Sequence, residues 1–180
     1  MHSFSGVAAL AIASIAAAQV ASGAGAMAGE PHAFTVVVRS VSSTDTLKLP
    51  DGKATRAPIA PGVYAVLDGG TQFFSAGQSA PPGLESLAED GDGQAFVEAV
   101  SKMKGVRKAG LFVPGQPFTV KAEPGQRLAF ATMFVQSNDK FYAPAPTGIE
   151  LFNDTKPVAG DLTSKVMLWD AGTEKDEPPV

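Results

Sequence analysis

Leu128-Ala129-Phe130-Ala131-Thr132-Met133-Phe134-Val135, followed at once by Gln136-Ser137-Asn138-Asp139-Lys140-Phe141, is the stretch on which the fold turns. Its first eight residues carry apolar side chains on both pleat faces, which predicts a central strand buried on both sides. The polar residues after it predict a loop. Just upstream, Phe118-Thr119-Val120-Lys121-Ala122 alternates apolar and polar, as a half-buried strand does, and Glu123-Pro124-Gly125-Gln126 joins the two as a tight turn. Downstream, residues 148–152 and 165–169 predict two further strands. Toward the N-terminus, residues 34–41 are rich in Val and Thr and predict the first strand of the domain. Pro61-Gly62-Val63-Tyr64-Ala65-Val66-Leu67 predicts a turn entering another strand, ended by Asp68-Gly69-Gly70. Residues 42–57 are polar, and Asp51-Gly52 fits either a hairpin or a loose loop there.

One segment has a different period. Ala95, Phe96, Ala99, Val100 and Met103 recur at helical spacing over residues 93–104, and Gly105 supplies a stop. Leu84, Leu87 and Ala88, after Pro81-Pro82-Gly83, predict a short helical turn. Short strands separated by Gly, Pro and Asp turns predict an all-β protein, an antiparallel β-sandwich with one short inserted helix. That helix is expected to cover one end or edge, with Phe96 and Met103 as core contacts.

The chain has 180 residues, enough for one domain and its core. Residues 1–28 hold no Asp, Glu, Lys or Arg, and residues 7–20 are an Ala-rich apolar run. Ala26-Met27-Ala28 fits the small-x-small pattern of an export cleavage site, so 1–28 is expected to be a signal peptide and 29–180 the domain. The run falls short of the roughly 20 residues that span a bilayer. The expectation is therefore a secreted, periplasmic or cell-surface protein with no stable membrane span after cleavage.

Charge and chemistry narrow the function. A net charge of −4 argues against nucleic acid, whose phosphates require clustered Lys and Arg. Lys102, Lys104, Arg107 and Lys108 form the one mildly basic cluster, and it is expected at a helix C-terminus. With no cysteine there are no disulfides, thiolate nucleophiles or Cys-based metal sites. His32 is the one histidine in residues 29–180, too few for a multi-His zinc site and a poor basis for a Ser-His-Asp triad.

Two acidic loops remain, each directly after a predicted strand. One is Ser137-Asn138-Asp139-Lys140-Phe141, the other Leu168-Trp169-Asp170-Ala171-Gly172-Thr173-Glu174. If the preceding strands neighbour each other and run the same way, Asp139, Asp170 and Glu174 converge at one rim. Carboxylates from separate loops are what a hard cation such as Ca²⁺ binds. The same residue types are also ordinary turn formers. Glu89-Asp90-Gly91-Asp92-Gly93 begins like an EF-hand loop, but Ala95 stands where the loop needs Gly, and Asp92 reads better as a helix N-cap. Asp139 and Asp170 could alternatively form the carboxylate pair of a hydrolase acting on surface glycans or esters. Ser137 lacks a base to activate it. Asn153-Asp154-Thr155 matches the N-glycosylation acceptor pattern.

On these loops, and on Phe34-Thr35-Val36, Ala60-Pro61-Gly62-Val63-Tyr64-Ala65-Val66, Leu84-Glu85-Ser86-Leu87-Ala88-Glu89-Asp90-Gly91-Asp92 and Leu128-Ala129-Phe130-Ala131-Thr132-Met133, the chain resembles the spondin N-terminal (F-spondin) domain family. The likeness is to its stand-alone, exported bacterial type, and it covers essentially all of residues 29–180. It implies a β-sandwich similar in topology to calcium-dependent membrane-targeting modules, with a cation at one edge. Asp139 and Asp170 match the family's site acids. The expectation is a non-enzymatic adhesion or ligand-binding domain with structural Ca²⁺ ordering one rim and an extracellular protein or carbohydrate as partner; the family's adhesive role itself is not carried over, since no residue here maps onto a ligand pocket. The chain departs from the family in carrying Lys140 where many relatives have an aromatic, with Phe141 one place later, and in lacking the cysteines of animal members.

Overall fold

The computed structural model describes residues 11–17, 31–175 and 177–179. Strands β1 (Ala11–Ala17), β2 (His32–Ser40), β3 (Leu47–Lys48), β4 (Ala54–Thr55) and β5 (Ile59–Leu67) come first. Helices α1 (Leu84–Asp90) and α2 (Gln94–Ser101) follow. Then come β6 (Val106–Phe112), β7 (Phe118–Ala122), β8 (Arg127–Phe134), β9 (Lys140–Pro144), β10 (Ile149–Glu150), β11 (Phe152–Asn153), β12 (Lys156–Pro157), β13 (Gly160–Asp161) and β14 (Val166–Asp170).

Two antiparallel sheets dominate. The larger has the order β14-β9-β8-β5-β6, with β10 pairing to the start of β8. The smaller has the order β13-β1-β2-β7. β3 with β4 and β11 with β12 are separate hairpins, so the polar segment around Asp51-Gly52 is a hairpin. The protein is thus all-β in its main architecture, as the alternating sequence predicts. Within residues 1–28, Ala11–Ala17 pairs antiparallel with β2, from Ala11 opposite Ser40 to Ala17 opposite Phe34. The remainder of that expected leader lies outside the described residues.

The pleat decides what each face does. On one face of the larger sheet, Tyr64, Val66, Phe112, Leu128 and Phe130 share an apolar cluster with Phe34, Val36, Val38 and Val120 of the smaller sheet. Alternate residues of the same strands, Val63, Ala65, Leu67, Ala129 and Ala131, meet Leu84, Leu87, Ala88, Phe96 and Val100 of the two helices. β8 is therefore covered on both sides, which is why Leu128-Ala129-Phe130-Ala131 is an unbroken apolar run. Phe34, Phe96 and Phe130 are fully buried. Each contributes about 1.5–3 kcal/mol relative to exposure. Thr132 is the buried polar residue of β8, and its hydroxyl donates to Ala60 O at 2.5 Å.

Three local expectations need correction. There are two helices, and they lie on a sheet face through Phe96, Val100, Leu84 and Leu87 instead of covering an end or edge. Gly91 separates them, ending α1 in the left-handed conformation at φ 72°, which suits glycine. Asp92 does serve the start of α2, its Oδ1 accepting the Gln94 N–H at 2.9 Å, although Gly93 occupies the N-cap position. Arg107 and Lys108 lie on β6, past the end of α2, so they are not helix C-terminal cations. Among the described residues, no helix is long and apolar enough to cross a membrane.

Candidate functional site

β8 and β14 both flank β9 and both pair with it antiparallel. They therefore run in the same direction, and the loops that follow them emerge at the same end of the sheet. This meets the geometric condition for the two acidic loops to approach each other, with β9 standing between their strands.

The loop after β8 is a built turn. Ser137 N–H donates to Phe134 O at 3.1 Å, its hydroxyl donates to the same oxygen at 2.8 Å, and Ser137 Oγ accepts the Lys140 N–H at 3.1 Å. Ser137 is thus engaged in the turn. That geometry aims Asp139 inward, and its side chain is fully buried. Asp139 Oδ2 accepts two backbone N–H groups of the facing loop, from Thr173 and Glu174, each at 3.1 Å. Ala171 N–H donates to Asp139 O at 3.0 Å. One residue therefore fastens the second loop by both its main chain and its side chain.

The other expected site residues are placed differently. Asp170 Oδ1 accepts the Gly172 N–H at 2.7 Å, and Asp170 Oδ2 lies 3.3 Å from Lys140 Nζ. Its side chain is 45% exposed, against full burial for Asp139. Glu174 is exposed and reaches Asp139 through its backbone N–H. The structure thus brings the two loops together through Asp139, while the Asp170 carboxylate turns to Lys140. Among the described residues, no group of three or more His, Asp or Glu side chains is gathered in a way that could hold a metal.

Two acceptor atoms at this rim are buried without a hydrogen-bond partner: Asp139 Oδ1 and Asn138 Oδ1. A buried charged oxygen with an unused lone pair is costly unless a cation or proton meets it. Asn138 is otherwise held by Nδ2 donating to Lys175 O at 2.6 Å. Both atoms are hard oxygen donors, the chemistry that Ca²⁺ selects. The donor chemistry fits such an ion at Asp139 and Asn138.

Sequence reasoning passed over three contributors. Asn138 stands beside Asp139 in the first loop but is not among the expected ion ligands. Thr173 and Glu89 join across 84 positions, the Thr173 hydroxyl donating to Glu89 Oε1 at 2.6 Å. This ties the second loop to α1, and nothing in local spacing signals it. His32 lies elsewhere, on β2, with its ring 4.9 Å from that of Phe34. On β9, burial pushes the phenol of Tyr142 well above its ordinary pKa, keeping it neutral. Comparison with protein-family models, with curated proteins and with solved structures finds no match to this chain.

Proposed function

We propose that the protein is a non-enzymatic adhesion or ligand-binding domain, exported to the periplasm, the cell surface or the medium, in which Ca²⁺ orders the rim formed by the loops after β8 and β14. The observation that carries this reading is the fully buried Asp139 carboxylate, whose Oδ1 has no partner while Oδ2 holds the facing loop. Asp139 Oδ1 and Asn138 Oδ1 would supply the first ligands. Asp170 and Glu174, on the loop that Asp139 fastens, would complete the set by rotating toward the ion. When bound, the cation neutralises the buried carboxylate and locks the two loops together.

The finer fold reading belongs to the same proposal. An apolar cluster shared by the two main sheets supports a β-sandwich akin to calcium-dependent membrane-targeting modules. The likeness to spondin N-terminal domains rests on the two loop motifs, and the partner it suggests is an extracellular protein or carbohydrate. Export rests on the uncharged, Ala-rich residues 1–28. The alternative, a carboxylate hydrolase, has less support: a buried Asp139 committed to two backbone N–H groups is better suited to holding structure than to meeting a substrate.

The test is the melting temperature of the full chain in excess EDTA, followed by calcium titration. A native-state ligand raises stability with the logarithm of its concentration over its dissociation constant. The expected result is a calcium-dependent rise that Asp139→Asn abolishes. A melting temperature indifferent to calcium refutes the ion.

A further inference from the structure

β14 ends the larger sheet and, among the described residues, pairs with β9 alone, so its other side is an open edge. The parity of the ladder decides which backbone groups face out. Ala171 N–H donates to Asp139 O, which continues the β14–β9 register. Val166 stands opposite Pro144, which has no N–H to give. Alternate pairs exchange hydrogen bonds in an antiparallel ladder, so Met167 and Trp169 turn their peptide groups toward β9. Val166, Leu168 and Asp170 turn theirs outward. The Val166 N–H is already taken by Thr163 O, at the end of the short 3₁₀ turn over Thr163–Lys165. The edge therefore offers the N–H groups of Leu168 and Asp170 and the C=O groups of Val166, Leu168 and Asp170.

Sheet edges are normally guarded by charge. β6, at the far edge of the same sheet, exposes Arg107 and Lys108. β14 carries no charge from Val166 to Trp169, and its Met167 and Leu168 side chains are 43% and 38% exposed, on opposite faces. The open edge is also complementary to itself. In antiparallel pairing about a two-fold axis at Leu168, Leu168 N–H meets Leu168 O of a second copy, and Asp170 N–H meets Val166 O, each in both directions. An axis at Met167 instead sets the occupied Val166 N–H against Leu168 O and leaves that oxygen unmatched. With the axis at Leu168, the two Leu168 side chains cover each other, and Met167 lies opposite Trp169 of the second copy, a thioether–aromatic pairing. We propose that β14 is a homodimer interface that joins two copies antiparallel about Leu168 into one continuous sheet. The inference uses the backbone of Asp170 and not its carboxylate, so it stands apart from the calcium reading. Because the copies run antiparallel, their Asp139 rims lie at opposite ends of the joined sheet, which on the binding reading above makes the dimer two-ended.

A contact between two five-residue strands is small for a protein interface. Sedimentation equilibrium of the full chain in EDTA, from about 1 μM to about 1 mM, should show a monomer–dimer equilibrium with a dissociation constant on the order of 10 μM. Leu168→Lys and Leu168→Glu each set like charges directly across the interface. Either variant alone should stay monomeric through that range, with a melting temperature near that of wild type in dilute solution. Their equimolar mixture should recover a dimer, because residue 168 faces residue 168 in this register alone. Leu168→Pro deletes an N–H that β9 does not use and should also give a folded monomer; should it melt, the charge pair carries the test. A wild type that stays monomeric, a charge variant that dimerises as wild type does, a mixture that stays monomeric, or species that grow past the dimer each overturn the proposal. A dimer alongside a calcium-insensitive melting temperature removes the ion and leaves this interface standing.

Discussion

Asp139 Oδ2 accepts the backbone N–H of Glu174 at 3.1 Å across 35 positions of sequence, from a carboxylate with no solvent exposure. A second N–H, from Thr173, reaches the same oxygen. This arrangement makes the loop after β14 an extension of the turn after β8. It also makes the two acidic loops unequal. One carries the anchor, and the other is what the anchor holds.

The inequality predicts different costs for two similar substitutions. Asp139→Ala leaves two N–H groups in a part-buried site without their acceptor and should cost about 2–3 kcal/mol in urea denaturation. Asp170→Ala removes a half-exposed partner of Lys140 and should cost under about 1 kcal/mol. Equal losses would contradict the asymmetry.

The link between Thr173 and Glu89 gives a second, local prediction. Thr173→Val keeps the shape of the side chain and removes the hydroxyl that donates to Glu89 Oε1. Global stability should fall by about 1 kcal/mol. Amide exchange at Gly172, Thr173 and Glu174 should rise more than exchange in β8, because the loop loses its tie to α1 while the sheet keeps its packing.

How much of this was legible before the structure depended on the range of each interaction. β8 could be read directly, since burial on both faces leaves an unbroken apolar run. The alternation in β7 could be read for the opposite reason, as one face only is buried. β6 escaped notice because Arg107, Lys108 and Gly110 interrupt its apolar pattern, although its pairing with β5 runs from Gly62 opposite Phe112 to Leu67 opposite Val106. β9 has no strand signal at Lys140, which continues the polar loop pattern and whose side chain reaches Asp170 on the neighbouring strand. The site divided in the same way. Loop composition singles out Asp139, whereas the nearness of the two loops is conditional on a strand order that only the pairing of β8 and β14 with β9 supplies. The orientation of Asp170 toward Lys140, and the entry of Glu89, depend on long-range packing that no local pattern encodes.

Gly62 tests the packing between β5 and its neighbours. A Cβ built there would sit 2.3 Å from Ala131 O and 2.6 Å from the Phe112 ring. The backbone oxygen belongs to a ladder and cannot rotate away, so Gly62→Ala must push β5 from β8 or displace Phe112. Overpacking of this kind costs about 1–3 kcal/mol, and the upper end is expected here. The register of β5 shifts between Ile59 and Gly62, which places the substitution at an irregularity that already interrupts the ladder. Thermal denaturation should show a lower midpoint for Gly62→Ala and little change for Gly52→Ala in the β3–β4 turn as far as contact alone is concerned, because no atom lies within 4 Å of a Cβ at Gly52. Gly52 has a φ of 83°, so backbone strain of about 1 kcal/mol remains as the floor of that comparison.

At the opposite end of the sheet from the Asp139 rim, Asp68 predicts an acid-side dependence of stability. Arg107 Nε donates to Asp68 Oδ1 at 2.7 Å, and Gln126 Nε2 donates to the same oxygen at 3.1 Å. The hydrogen bond from Arg107 is the leading cause that holds the Asp68 carboxyl below its ordinary value, with a smaller opposing effect of burial. A carboxylate whose pKa is lower in the folded state binds fewer protons there than in the unfolded chain. Its stabilising contribution is complete above the unfolded value, near 4, and is lost as pH falls through the folded value. Wild type and Asp68→Asn, followed by urea denaturation from about pH 6 down to about pH 2, should therefore differ by a constant small amount until roughly pH 4 and converge below it. The difference should also shrink in high salt, since Arg107 is well exposed and its attraction to Asp68 is screened. A gap that widens on acidification would mean that protonated Asp68 stabilises the fold better than its anion, and would reverse the assignment of Arg107 as its partner.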